Sequence, residues 1–99
     1  IETASRNGIG ILTIVFSNSV MACERHVLET STRKYGALSV GGNYSKVAEG
    51  LNVASRRVEK PAEIVPALKT ALDTVERGQP FLLEIIAKEG YDFSRYAPR

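Results

Sequence analysis

Two stretches of the chain are apolar almost without a break: Gly10 to Phe16, "GILTIVF", and Phe81 to Ala87, "FLLEIIA". Short continuous runs rich in Ile, Leu and Val predict strands covered on both faces, as in a parallel sheet. Both are expected to be central and mostly buried. Val53 to Val58 is a third, shorter strand candidate. Elsewhere the period changes. Ile64, Leu68, Leu72 and Val75 recur at helical spacing, in a segment opened by Pro61 and closed by Arg77-Gly78. Pro66 lies within the first two turns of that helix, where a mild bend is expected at most. Asn43 reads as the N-cap of a short helix, Tyr44 to Leu51. Residues 1 to 7 read as the end of a helix stopped by Asn7-Gly8. Ser19 to Glu29 is assigned to a helix, and the polar, Gly-rich residues 30 to 42 to a loop ending in Gly41-Gly42. Glu89 to Arg99 is an aromatic and charged tail without a period.

Strands alternating with helices imply βαβ units. The expected fold is therefore α/β: a three-layer, Rossmann-like parallel sheet with flanking helices. Length sets the scale, since 99 residues make at most one domain with one modest core. The chain begins at Ile1 with no residue in front to cap the helix, which suggests one piece of a longer chain.

Charge and cysteine content narrow the function classes. A net charge of +2 is small, and the only basic pairs are Arg33-Lys34 and Arg56-Arg57. That is no basic stripe, so nucleic acid is not an expected partner. No apolar run reaches the roughly 18 residues needed to span a bilayer, so no membrane partner is expected either. Cys23 is the single cysteine, so no internal disulfide forms; this fits a reducing, cytoplasmic setting.

Candidate chemistry lies just after the first strand, in "SNSVMACERH", residues 17 to 26. In open α/β sheets, ligands bind outside the carboxyl ends of the strands. The amide oxygen of Asn18 is a hard, neutral ligand suited to Mg²⁺ or Ca²⁺, and a backbone carbonyl two residues on reaches the same ion if the chain curls there. The same residues also read as a helix N-cap, because Ser17, Asn18 and Ser19 are all good caps. Glu24 and His26 are the nearby groups able to move protons. Glu24-Arg25 equally reads as a solvated helix face. Cys23 reads as a small core residue, since no base is positioned on it. Gly8-Ile9-Gly10 precedes a strand instead of opening a helix and does not match a dinucleotide fingerprint.

Taken in order, "IETASRNGIGILTIVFSN", "SVMACERH", "YSKVAEGLNVASRRVEKPAEIVPALKTAL" and "QPFLLEIIA" resemble the carboxy-terminal, diphosphate-binding domain of thiamine-diphosphate-dependent enzymes. That superfamily includes pyruvate decarboxylases, acetolactate synthases and acyl-CoA lyases. The resemblance covers nearly the whole chain. It implies that residues 1–99 form the C-terminal segment of the thiamine diphosphate-binding domain, with 89–99 as a tail.

The resemblance also implies cofactors and roles. Thiamine diphosphate and Mg²⁺ are the expected cofactors. Asn18 matches the second Asn of the family's Asn-Asn pair, whose side-chain oxygen binds Mg²⁺, and Val20 matches the position that offers a backbone carbonyl to it. Asn18, Ser19, Val20 and Met21 are the expected cofactor-binding residues. Glu24 matches a position that is an active-site glutamate in some decarboxylases and apolar in other members. Ser17 stands where the first Asn is usual, and Val20 and Met21 replace more usual small or aromatic residues. The family's Gly-Asp-Gly triplet, which brings the metal's carboxylate, would lie upstream of Ile1, and its cofactor-activating glutamate lies on another domain. The expected partners are accordingly the remainder of the same enzyme, in a homodimer or homotetramer. The expected reaction cleaves or forms C–C bonds next to a carbonyl. A non-catalytic binding or assembly module that keeps the fold without the cofactor is the alternative, favoured by Ser17. The aromatic tail, with Tyr91, Phe93 and Tyr96, is expected to pack over the carboxyl-end face of the sheet, as the C-terminal segment does in some relatives.

Overall fold

The computed structural model describes residues 1–90; the tail expectation for Tyr91, Phe93 and Tyr96 lies outside them. The chain forms two compact units, one of Ile1–Ser17 with Gly42–Ala87, the other of Asn18–Gly41 with, among the described residues, 88–90.

The first unit is the sheet. It holds helix α1 (Glu2–Arg6), strand β1 (Leu12–Ser17), helix α3 (Tyr44–Gly50), strand β2 (Ala54–Val58), helix α4 (Ile64–Glu76) and strand β3 (Phe81–Ile86). All three strands are parallel, in the order β1-β3-β2. The register sets Leu12 beside Phe81 and Ser17 beside Ile86 on one side, and Ala54 beside Phe81 and Val58 beside Ile85 on the other. Alternation then sorts the side chains. On one face Phe81, Leu83, Ile85 and Val58 pack with Ala67 and Ala71 of α4, and Leu12, Ile64, Leu68 and Val75 close the edges. On the other, Leu82 packs with Ala48 and Val53, flanked by Val15 and Tyr44. Helices thus cover both faces of the sheet, giving the three layers expected.

Local signals explain the helices. Asn43 caps α3, its side chain accepting from the Lys46 N–H at 2.9 Å. The α4 segment opens with a 3₁₀ turn at Pro61–Glu63, where the Glu63 carboxylate accepts from the Lys60 N–H at 3.2 Å. Helix α4 then runs through Pro66 unbroken. Three residues of the expected stripe, Ile64, Leu68 and Val75, pack on the core beside the buried Ala67 and Ala71, whereas Leu72 is 49% exposed. Small side chains let the helix lie close on the sheet. Gly10 shows the same closeness, since a Cβ there would run into the Val75 carbonyl.

One strand expectation is half right. β3 is central and buried along its length, but β1 has a single partner among the described residues and lies at the edge. Ile14 is 42% and Phe16 71% exposed. The apolar run predicts a strand that wants cover on both faces; among the described residues α4 covers only its start, at Leu12.

The second unit corrects two assignments. Ser19 to Glu29 is not a helix: it contains one 3₁₀ turn, Ala22–Glu24. Ser19 has a φ of 60°, in the left-handed region, and Val20 forms an antiparallel bridge with Ser39, both incompatible with a helix start there. Helix α2 (Glu29–Tyr35) occupies much of the segment read as loop. It has no apolar stripe to reveal it. Its charges are instead arranged along its dipole, with Glu29 in the first turn and Arg33 and Lys34 in the last, and Gly36 ends it at a φ of 65°. Among the described residues no helix is long and apolar enough to cross a membrane.

Candidate functional site

Asn18 directly follows the carboxyl end of β1 and begins a tight turn. Its side-chain Oδ1 accepts from the Val20 N–H at 3.2 Å. That bond spans two residues, the geometry of an Asx turn. With Ser19 left-handed at the turn's centre, the chain reverses into the pairing of Val20 with Ser39. Two backbone bonds bracket that bridge: Met21 N–H donates to the Leu38 carbonyl at 2.9 Å, and Val40 N–H donates to the Ser19 carbonyl at 3.2 Å. In this arrangement the bridging residue's own N–H and C=O point away from the partner strand. The Val20 N–H meets the Asn18 amide on that side, and the Val20 carbonyl faces the same way.

The turn thus offers two neutral oxygens, Asn18 Oδ1 with a lone pair left beyond its bond to Val20, and the Val20 carbonyl. Both are hard donors of the kind Mg²⁺ takes, and Mg²⁺ keeps phosphate oxygens and water among about six ligands. The turn therefore fits part of a Mg²⁺ shell. Among the described residues no three His, Cys, Asp or Glu side chains gather to hold a metal, so the turn contributes no carboxylate cluster of its own.

The remaining expected residues sit around this turn. Ser19 and Met21 are exposed. Glu24 is half-buried in the 3₁₀ turn, with its N–H donating to the Met21 carbonyl at 3.2 Å and its carbonyl accepting from Val27 and Leu28 at 3.0 and 2.9 Å. Its backbone is held; its carboxylate has no protein donor among the described hydrogen bonds. Arg25 pairs with Glu89 at 2.9 Å. His26 is exposed, and so is Cys23, which corrects its reading as a core residue: the 3₁₀ turn buries none of its three side chains. Ser17 is buried in β1, and its carbonyl accepts from the Ala87 N–H at 3.0 Å.

One charged residue escaped the sequence reading. Glu84 lies in the middle of β3 at 0% exposure. Its Oε1 accepts from Arg57 Nη1 and its Oε2 from the Ser45 N–H, each at 3.1 Å. The signal was present: a lone carboxylate within six strand residues, and a pair of arginines in another strand candidate.

Residues 1–85 match the family described as thiamine pyrophosphate enzyme, C-terminal TPP binding domain. A search of curated proteins found no match.

Proposed function

Because the chain belongs to the C-terminal TPP binding domains of thiamine pyrophosphate enzymes, we propose that it binds the cofactor's diphosphate through Mg²⁺ at the Asn18 turn. On this reading Asn18 Oδ1 and the Val20 carbonyl are two of the metal's oxygens, and Ser19 and Met21 line the diphosphate. Thiamine diphosphate, when bound, supplies the chemistry of breaking and making C–C bonds next to a carbonyl. The substrate class we propose is a 2-oxo acid or an acyl-CoA-type molecule, handled by a decarboxylase, an acetolactate synthase-like carboligase or an acyl-CoA lyase. Glu24, half-buried and without a protein donor on its carboxylate among the described hydrogen bonds, is the proposed proton-transfer group. Residues 1–99 act as the C-terminal segment of the binding domain, with 89–99 as its tail. The remaining ligands and the pyrimidine-binding domain come from the rest of the enzyme, assembled as a homodimer or homotetramer.

The observation that supports this best is the Asn18–Val20 turn, which brings a side-chain amide and a main-chain carbonyl to one side directly after a parallel strand. The test is a Mg²⁺-dependent thiamine diphosphate titration of the full-length enzyme. Asn18→Ala is expected to weaken binding at least about 10-fold, the scale of losses at metal-site partners. Asn18→Asp keeps both an oxygen ligand and the turn and is expected to bind within a few-fold of wild type. Ser17→Ala is expected to leave the curve in place. Equal curves for Asn18→Ala and Ser17→Ala contradict the assignment.

A further inference from the structure

The centre of the sheet carries a choice that stability alone does not explain. β3 turns Leu82 and Glu84 toward the α3 face, where Leu82 meets Ala48 and Val53. An apolar residue at 84 would extend that surface. The chain instead buries a carboxylate completely. Replacing a buried ion pair with packed apolar side chains is commonly neutral or stabilising, whereas breaking one by removing a single partner is costly. A pair of this kind is therefore weak as glue and strong as a condition that the rest of the fold must meet.

That condition has two parts here. Glu84 Oε1 takes Arg57 Nη1, and Arg57 is the register partner of Glu84 across the β2–β3 ladder. Glu84 Oε2 takes the Ser45 N–H in the first turn of α3. A third bond closes the triangle, since Ser55 Oγ of β2 donates to the Ser45 carbonyl at 2.9 Å. Beyond its ladder with β3 and the buried Val53 just before it, β2 has few buried side chains to fix its position. Of its five residues only Val58 is buried, and Arg56 and Arg57 stand side by side. A slip of one residue would set Arg56 beside Glu84 and satisfy the charge. It would also throw Val58 out of the α4-side core and break the Ser55–Ser45 bond, because a slip of one reverses every side chain. The charge, the valine and the hydroxyl together admit Arg57 alone.

We propose that the buried Glu84 carboxylate, held between Arg57 Nη1 and the Ser45 N–H, is a docking key that, together with Val58 and the Ser55–Ser45 bond, specifies the register of β2 and the seat of α3 on β3, without adding net stability. Arg57 remains 36% exposed and meets Glu59 at 3.6 Å, so it keeps other partners when Glu84 is removed. When Arg57 is removed, Glu84 keeps the Ser45 N–H but has no second ion-pair partner among the described residues. The two single substitutions are consequently unequal.

The experiment compares Arg57→Met, Glu84→Met and the double variant in the full chain, by urea unfolding and by hydrogen exchange read on peptides covering 44–58 and 81–86. Arg57→Met is expected to raise the unfolding constant by about 100-fold or more, and Glu84→Met by clearly less. The double variant is expected to return to within about 10-fold of wild type, which exposes the coupling. In that variant protection of 44–58 is expected to fall about 10-fold or more relative to 81–86, because α3 and β2 then seat in more than one way. An Arg57→Met variant as stable as wild type overturns the proposal. So does a double variant that keeps the wild-type protection ratio, and so does a double variant that fails to fold, since the pair would then be supplying stability that apolar packing cannot. If Arg57→Met alone fails to fold, the double variant carries the decision.

Discussion

β1 and β3 are near twins in sequence and opposites in the fold. β1 has no charged residue, and Phe16 within it is 71% exposed. β3 contains Glu84, and that side chain is 0% exposed. Judged by charge alone, the first strand would be the more deeply buried of the two. Burial follows position in the sheet instead: β3 has a strand on each side and a helix over each face, while β1 has one neighbour among the described residues. Apolar character states how much cover a strand calls for, not how much it has. The other edge makes the contrast sharper. β2 carries Arg56 and Arg57, charges of the kind that protect an exposed edge from pairing, and β1 carries no such guard.

The difference is largest in the packing. Leu83 is fully buried between β3's neighbours and α4. Leu83→Ala is expected to cost about 2–5 kcal/mol in urea or thermal unfolding. Ile14→Ala in β1 removes a side chain already 42% exposed and is expected to cost less than about 1 kcal/mol. Similar losses at the two positions would mean that the two strands are equally covered in the protein, and the comparison would fall.

A second, intermediate effect tests how tightly the start of β1 is pinned despite its open edge. The Cβ of an alanine at Gly10 would meet the Val75 carbonyl of α4, a backbone atom that cannot swing aside. Gly10→Ala is expected to cost about 1–3 kcal/mol, the usual range for overpacking, read by chemical denaturation. Gly50→Ala, where nothing lies within 4 Å, serves as the control and is expected to be neutral or slightly stabilising. A neutral Gly10→Ala would show that α4 shifts freely over β1.

These elements also mark what the sequence could disclose. The α/β class, the three strands, α3 with its Asn43 cap and α4 with its Pro61 entry were all readable, because each rests on a local period or a local cap. The order β1-β3-β2 was not, because it depends on which strand the last crossover returns to. Nothing apolar marks the inner side of helix α2, so its sequence reads as loop, and Ser19 to Glu29 reads as helix because composition does not disclose the left-handed Ser19 and the Val20–Ser39 bridge that prevent a helix from starting there. At the candidate site Asn18 was visible as a residue type, but its bond to the Val20 N–H depends on the sign of a single φ. Glu84 was hidden by its neighbours: five apolar residues around one carboxylate read as a strand, and its partner Arg57 lies 27 positions away.

The smallest expected effect is the most telling one for β1. Phe16→Thr exchanges a large aromatic for a small residue of comparable strand preference. With 71% of the phenylalanine in solvent, little apolar surface is lost from the folded state relative to the unfolded one. Substitutions of this kind, away from caps, cavities and buried charges, stay within about 0.5 kcal/mol. The expected result is therefore an unchanged urea midpoint. Solubility should rise, since the substitution shortens an uncharged six-residue run on an open edge, the pattern that favours strand-to-strand association. Measured in the 99-residue chain and again in the full-length protein, the same substitution distinguishes two states of one strand. A loss of about 3 kcal/mol or more, the cost of emptying a filled aromatic site, would show that Phe16 is covered in whichever form displays it. Such a loss in the full-length protein alone would make β1 an interior strand there and an edge only in these residues. Its presence in the short chain would contradict the edge position described above.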